Sequence, residues 1–500
     1  MTTNADNDLP GGIQIQPAWT DPNLPPDQFL YERLGPWPQP APAYPMTRPP
    51  EVLTIPEAEA NLWNETIGWR YKTTVAEYTL EAFLDGIKDL LFTLPGDDEF
   101  VQVMTRTVYS RFLRRETPTS PIWLGDFTAM ELIDPLPGTF CAPVVCRFQQ
   151  EGERFACISI RFLKTGKNND LLVRPGDKAW NLAKAYALQG AAYHALFVVH
   201  PTIHFPMDSV NAITKTAVPM IHPLFQALLP HTAYTLALDN AVLEGAWTVV
   251  NNKVHETWFD PLTATGYNVK QLFGIGYSGY KGLAAYPAYN YMAPWMDGDM
   301  LYGRCLREYF KPFLVFATKI ANVIPKTDPY VKRWADYCSA QVRGFPDGTA
   351  IFEGNTLAKV IAIYMWDVSV AHGADHQSFG NGISLKNKFL RLRRPPPTDI
   401  NDGADVVHMW DVVSADDMGR AELANDMVFA VVTMAPNLIE TAYAFTDPAL
   451  IAASAQFRED LKSVAKNVRT IMPEFMRLEP DADPNKPYPY NLTIPASIQF

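Results

Sequence analysis

Four of the nine histidines in this 500-residue chain, His194, His200, His204 and His222, fall between Trp180 and Pro223. Two more, His372 and His376, sit in the run AHGADHQ at 371–377. On a regular helix, residues four apart share a face. His200 with His204, and His372 with His376, are therefore spaced to grip one ion. His194 lies six positions before His200. Imidazole is a borderline donor that suits iron, zinc, copper or nickel. Both stretches are otherwise strongly apolar, and several buried imidazoles need partners that one metal supplies together. The expectation is two histidine-bearing helices that hold one metal beside an apolar cavity.

The remaining candidates carry blander readings. Asp375 faces elsewhere on its helix from His372 and His376 and reads as a salt-bridge residue. His222 and His231 flank the apolar run HPLFQALLPH and read as structural; His255 and His408 lie in polar surroundings and read as surface residues. No G-x-S-x-G elbow, P-loop or G-x-G-x-x-G in a strand–helix context appears, which disfavours a hydrolase or a nucleotide enzyme. A formal charge of −12 lacks the basic footprint of nucleic-acid binding. Cys141, Cys146, Cys157, Cys305 and Cys338 are odd in number, with no zinc-ligand spacing, and imply reduced thiols in a cytoplasm. The opening MTTNADNDLP has no signal-peptide character, and no apolar run reaches the ~18–20 residues of a membrane span.

The elements that must position these residues are mostly helices. Residues 1–55 are studded with proline and read as an extended N-terminal arm. Residues 56–500 read as one large domain. Helices are expected over 56–94, where TVAEYTLEAFLDGIKDLLF has the three- and four-residue apolar steps of an amphipathic helix, and from Asp97 to Arg114. TFCAPVVCRFQQEGERFACISIRFL (139–162) then changes pattern: two β-rich runs around QQEGER predict a hairpin. Further helices are expected at Asp177 to Val199, Asp208 to Leu229 and Thr235 to Asn252, with a Gly- and Tyr-rich loop over 274–295. Beyond it come MLYGRCLREYFKPFLVFATKIANVI, TDPYVKRWADYCSAQV with Thr327 as N-cap, and the apolar helix Thr356 to His376. A loop at 391–403, helices from Asp416 to Tyr443 and from Pro448 to Met472, and an apolar tail that tucks into the protein complete the reading. The fold class is mostly α with a small β-hairpin or sheet.

Beside this reading stands a resemblance. WNLAKAY followed by YHALFVVHPTIH, then HPLFQALLPH and YTLALDNA, resembles the central-helix signature of the lipoxygenase family. AHGADH resembles that family's second ligand helix, LVRPGDKAW and DPYVKRWADY the stretches leading into the two helices, and IPASIQF the family's closing motif. The resemblance runs from about residue 56 to 500. It implies a helical catalytic domain without the usual N-terminal β-barrel. It also implies a non-haem iron centre, with manganese as the alternative metal. The ligands carried over by position are His194, His200, His372, His376 and the terminal carboxylate of Phe500.

One residue more than the family's usual number separates His194 from His200, within a helix that in the family carries a π-type bulge. Bulges absorb single-residue shifts. His204, with Pro201 able to kink the helix, is the alternative donor in place of His194 or His200. Phe500 replaces the usual Ile, and Ala496 stands where the family has Asn. Ala237, in YTLALDNA, aligns with the small residue that steers oxygen.

The implied activity is insertion of O2 into a polyunsaturated fatty acid of linoleate type, giving a lipid hydroperoxide. Two alternatives stay open: a lipoxygenase-like metalloenzyme turned to another apolar substrate or to hydroperoxide rearrangement, and a non-catalytic lipid-binding protein. No protein partner is implied.

Overall fold

The computed structural model describes residues 92–164, 170–232, 235, 266–294, 299–419, 421, 437–472, 478 and 494–498. The proline-rich arm, the helices expected before residue 92 and over 236–252, Ala237, His255 and Phe500 lie outside the described residues. Most of the helix expected from Asp416 lies outside them too.

The chain enters on α1 (Asp97–Arg106), whose first turn carries Asp97, Asp98 and Glu99 against the positive end of the helix dipole. The expected helix to Arg114 stops short. A 3-10 segment, Val108–Phe112, follows and feeds directly into a strand. Five strands then form one antiparallel sheet in sequence order: β1 (Leu113–Arg115), β2 (Ile122–Asp126), β3 (Val144–Glu151), β4 (Arg154–Phe162) and β5 (Leu171–Val173). The expected hairpin is β3–β4. It closes through Gly152 and Glu153, and Gly152 takes φ 64°, the positive value that a two-residue hairpin turn requires at its first position. β1, β2 and β5 were not anticipated. With three to five residues each, they are too short to display an alternating pattern.

The centre of the molecule is one long helical path in three pieces. Helix α2 (Trp180–His194) runs through a π-helical turn, Ala195–Val199, into α3 (His200–Ala217) without a break. Two separate helices were expected here. From Leu196 to Lys215 every residue is buried or half-buried, so no solvent-facing stripe marks a boundary. The start of α2 is locked to α1: the indole Nε1 of Trp180 and the Lys184 ammonium both donate to Asp97 Oδ1, at 2.7 and 2.9 Å. Lys184 also donates to the Pro95 carbonyl at 2.6 Å. The WNLAK run thus works as an anchor. Helix α4 (Pro223–Leu228) follows, with His222 as its N-cap accepting from Leu224 N and facing Asp328 at 3.2 Å.

Helix α5 (Gly266–Ser278) packs on the π turn. It contains Gly274 to Ser278, which had been assigned to a loop. Gly276 is there for close approach: a Cβ at this position would overlap the carbonyl oxygen of Val198. Helices α6 (Leu301–Asn322) and α7 (Pro329–Gln341) follow the expected ranges, but the N-cap of α7 is Asp328, which accepts from Tyr330 N and Val331 N, and not Thr327. Trp334 on α7 donates to Thr214 on α3 at 2.9 Å.

The second buried helix has the same segmented form. Helix α8 (Thr356–Trp366) leads through a π turn, Asp367–Ala371, into the short α9 (His372–His376), and a second π turn, Gln377–Gly382, follows. The expected loop at 391–403 is irregular, and α10 (Pro448–Ile471) matches its expected range. Leu438–Glu440 is a 3-10 turn followed by extended chain, so the helix expected up to Tyr443 ends earlier. Residues 494–498 lie against it, with Leu438 N donating to Ile494 O at 2.8 Å and Ile494, Ala496, Ser497 and Ile498 fully buried.

Candidate metal centre

Helices α3 and α9 meet through four imidazoles. His204 Nε2 lies 3.0 Å from His200 Nε2 and 3.0 Å from His372 Nε2, and His376 Nε2 lies 3.2 Å from His200 Nε2. Donor atoms of all four residues fall within 4.8 Å of one another. His204, His372 and His376 are buried, while the His200 side chain keeps 13% of its exposure.

The spacing explains the pairing. At 3.6 residues per turn, positions four apart differ by ~40° and stay on one face. Each helix therefore presents two imidazoles to the other. Burial pushes His200 and His372 well below the ordinary histidine range, and the neighbouring imidazoles push the same way. Both are therefore neutral near pH 7, and each has a lone pair to offer. Two neutral rings among four whose Nε2 atoms sit in hydrogen-bond range leave lone pairs facing one another, because a neutral ring has a single proton. A cation resolves the conflict. Imidazole bonds of ~2.1 Å at right angles place neighbouring donor nitrogens ~3.0 Å apart, and opposite ones ~4.2 Å apart. The three adjacent separations of 3.0, 3.0 and 3.2 Å match the first, so the donor set fits a first-row metal ion.

His194 is not part of this cluster. The π turn Ala195–Val199 separates it from His200. Its Nδ1 donates to the Gly190 carbonyl at 2.7 Å, and its Nε2 meets the Tyr286 hydroxyl at 2.8 Å. The Tyr286 hydroxyl also reaches the Asp126 carbonyl at 2.8 Å. Phe112 and Phe127 close over the ring edge-on. Of the carried-over ligands, His200, His372 and His376 converge, joined by His204, while His194 stands apart and Phe500 lies outside the described residues.

Behind His200 is a second buried group. Asp375 Oδ2 accepts from Arg111 at 3.0 Å and faces His200 Nδ1 at 3.5 Å; its Oδ1 accepts from the Tyr302 hydroxyl at 2.8 Å. Burial pushes the Asp375 carboxyl up, and the Arg111 guanidinium and the Tyr302 hydroxyl act against that rise. Asp375 was expected to be a salt-bridge residue and is one. Arg111 and Tyr302 were not anticipated. They stand 264 and 73 positions from Asp375, and no local pattern connects them.

No family model matches the chain. The polyunsaturated fatty acid lipoxygenase ALOX12 of Mus musculus is 22% identical over 403 residues, which is 71% of this chain and 57% of that protein. The chain thus spans little more than half the length of that relative. A calcium-dependent 11R-lipoxygenase structure matches with a TM-score of 0.63 at 15% identity, over 93% of this chain and 77% of the other. The manganese lipoxygenase of Gaeumannomyces graminis matches with a TM-score of 0.59 at 15% identity, over 88% and 90%. The fold is that of the lipoxygenase family. Within this lipoxygenase fold, the π turn Ala195–Val199 falls where the resemblance had put a bulge. Here it precedes both ligand-spaced histidines of α3 and does not lie between them.

Proposed function

We propose that this chain is a non-haem metal dioxygenase that inserts O2 into a polyunsaturated fatty acid of linoleate type and releases a lipid hydroperoxide. The observation that carries this reading is the convergence of His200, His204, His372 and His376 from two buried helices of a lipoxygenase fold. The names of the sequence relatives, polyunsaturated fatty acid lipoxygenases, support the substrate class. Iron is the first choice of metal. Manganese is the second, supported by the similarity to a manganese lipoxygenase and by a donor set that suits either ion. Bound there, such an ion supplies one-electron redox chemistry to the substrate.

The chain's residues do the rest. The four imidazoles gather their donor nitrogens within 4.8 Å of one another, where one ion can take them together. Buried apolar residues on the same helices, among them Val199, Ile203, Val368, Ala371 and Ala374, keep bulk water from the cluster. By the resemblance of YTLALDNA, Ala237 is the small residue that steers oxygen. The reaction balances as one hydrogen leaving a bis-allylic carbon, O2 bonding to the resulting pentadienyl radical, and one hydrogen returning to the distal oxygen. The free thiols Cys141, Cys146, Cys157, Cys305 and Cys338 fit a reducing, cytoplasmic setting. No helix among the described residues is long and apolar enough to cross a membrane.

The test is conjugated-diene absorbance when purified metal-loaded protein meets linoleate and O2. A rise that His372→Ala abolishes is the expected result. No rise with any C18–C20 polyene rejects the fatty-acid reading and favours another apolar substrate.

A further inference from the structure

We propose that Asp375 is the positioning residue of this centre: clamped by Arg111 and Tyr302, it holds His200 in the tautomer whose Nε2 is bare. The proposal rests on the four-imidazole reading above.

A neutral imidazole carries one proton, and the acceptor at its outer nitrogen decides which nitrogen keeps it. Asp375 shares α9 with His372 and His376, and its carboxylate is an acceptor that faces His200 Nδ1. A proton held there leaves the Nε2 lone pair directed at His204 and His376. The carboxylate is itself fixed. Tyr302 donates to one oxygen and Arg111 to the other, and the Arg111 and Asp375 side chains are only 3% and 4% exposed. Arg111 also lies against the Tyr302 ring, 5.6 Å from its centroid.

The segment that carries Arg111 is tied back to the ligand helix, because Val108 N donates to Ser378 Oγ at 2.9 Å. The path from His200 through Asp375 and Arg111 therefore closes on the π turn just past His376. His372 provides the contrast: its Nδ1 is buried with no hydrogen-bond partner among the described residues. Stability alone does not account for the arrangement. A buried ion pair recovers little beyond its desolvation cost, and apolar residues fill such space at least as well.

The test uses metal-free full-length protein titrated with Mn(II), the unbound ion being read by electron paramagnetic resonance. Asp375→Asn is expected to weaken binding ~10–100-fold, as loss of an outer partner does at other metal sites. In histidine-selective 15N spectra of the same metal-free protein, His200 is expected to leave the Nδ1–H form. Arg111→Gln combined with Asp375→Asn restores a neutral, hydrogen-bonded pair and serves as the foldable control. A carboxylate needed only to neutralise Arg111 would let this double variant recover wild-type affinity, whereas the positioning role leaves it at least ~10-fold weak. Either variant binding Mn(II) within twofold of a wild type that binds one equivalent overturns this proposal alone. A wild type that binds no Mn(II) overturns the metal reading and this proposal with it.

Discussion

A buried imidazole with both nitrogens engaged has nothing left to offer a metal, and His194 is in that position between Gly190 and Tyr286. Its burial pushes it down to about 3, the Gly190 carbonyl acting the other way. The folded value lies below the unfolded one near 6.5, so folding favours the neutral ring. That contribution is complete above pH ~6.5 and is lost as the pH falls from there toward 3, by up to ~1.4 kcal/mol per unit. His194→Gln should therefore cost ~1–3 kcal/mol at pH 7 through lost packing and hydrogen bonding. It should also flatten the fall in stability between pH 6.5 and 4, as urea unfolding at several pH values would show. An unchanged pH slope would contradict the structural role. Sequence spacing made His372 and His376 legible because four positions on a helix are one face. It left His194, His200 and His204 competing, because which side of a helix meets a partner is decided by packing. Arg111 and Tyr302 were invisible for the same reason.

At the scale of elements, the two buried helices are alike in being broken by π turns, Ala195–Val199 in one and Asp367–Ala371 and Gln377–Gly382 in the other. Such turns are frequent at functional sites, and here they flank the two HxxxH pairs. The first is held by α5, where Gly276 lets the helix touch the Val198 carbonyl. Gly276→Ala should cost at least ~3 kcal/mol, the upper part of the overpacking range, because the obstacle is backbone and cannot rotate away. It should also weaken metal binding, since a displaced π turn moves His200. Thermal unfolding together with Mn(II) titration checks both effects, and an Ala variant as stable as wild type would refute this packing account. The glycines and tyrosines of 274–295 look like loop by composition, yet Gly274 to Ser278 are helical. The glycine serves contact between helices there and not a turn. Long elements such as α6 and α10 were legible from their periodicity, whereas three-residue strands are too short for an alternating pattern to show.

The whole molecule brings together helices 168 positions apart, as the pairing of His204 with His372 requires. The mostly α class, the β3–β4 hairpin and the two histidine helices were legible because each is a local pattern repeated over many residues. The exact donor set was not, because it depends on the relative rotation of two helices and on a packed neighbour, Tyr286. The tail was expected to tuck in, and residues 494–498 do, held by the Ala496 carbonyl against His231 Nδ1 at 2.5 Å. The most direct test of the account is the metal content of the purified full chain compared in two variants. One equivalent of iron or manganese should be retained in His194→Gln and fall below a tenth of an equivalent in His204→Gln. Retention in His204→Gln, or loss in a folded His194→Gln, would contradict it.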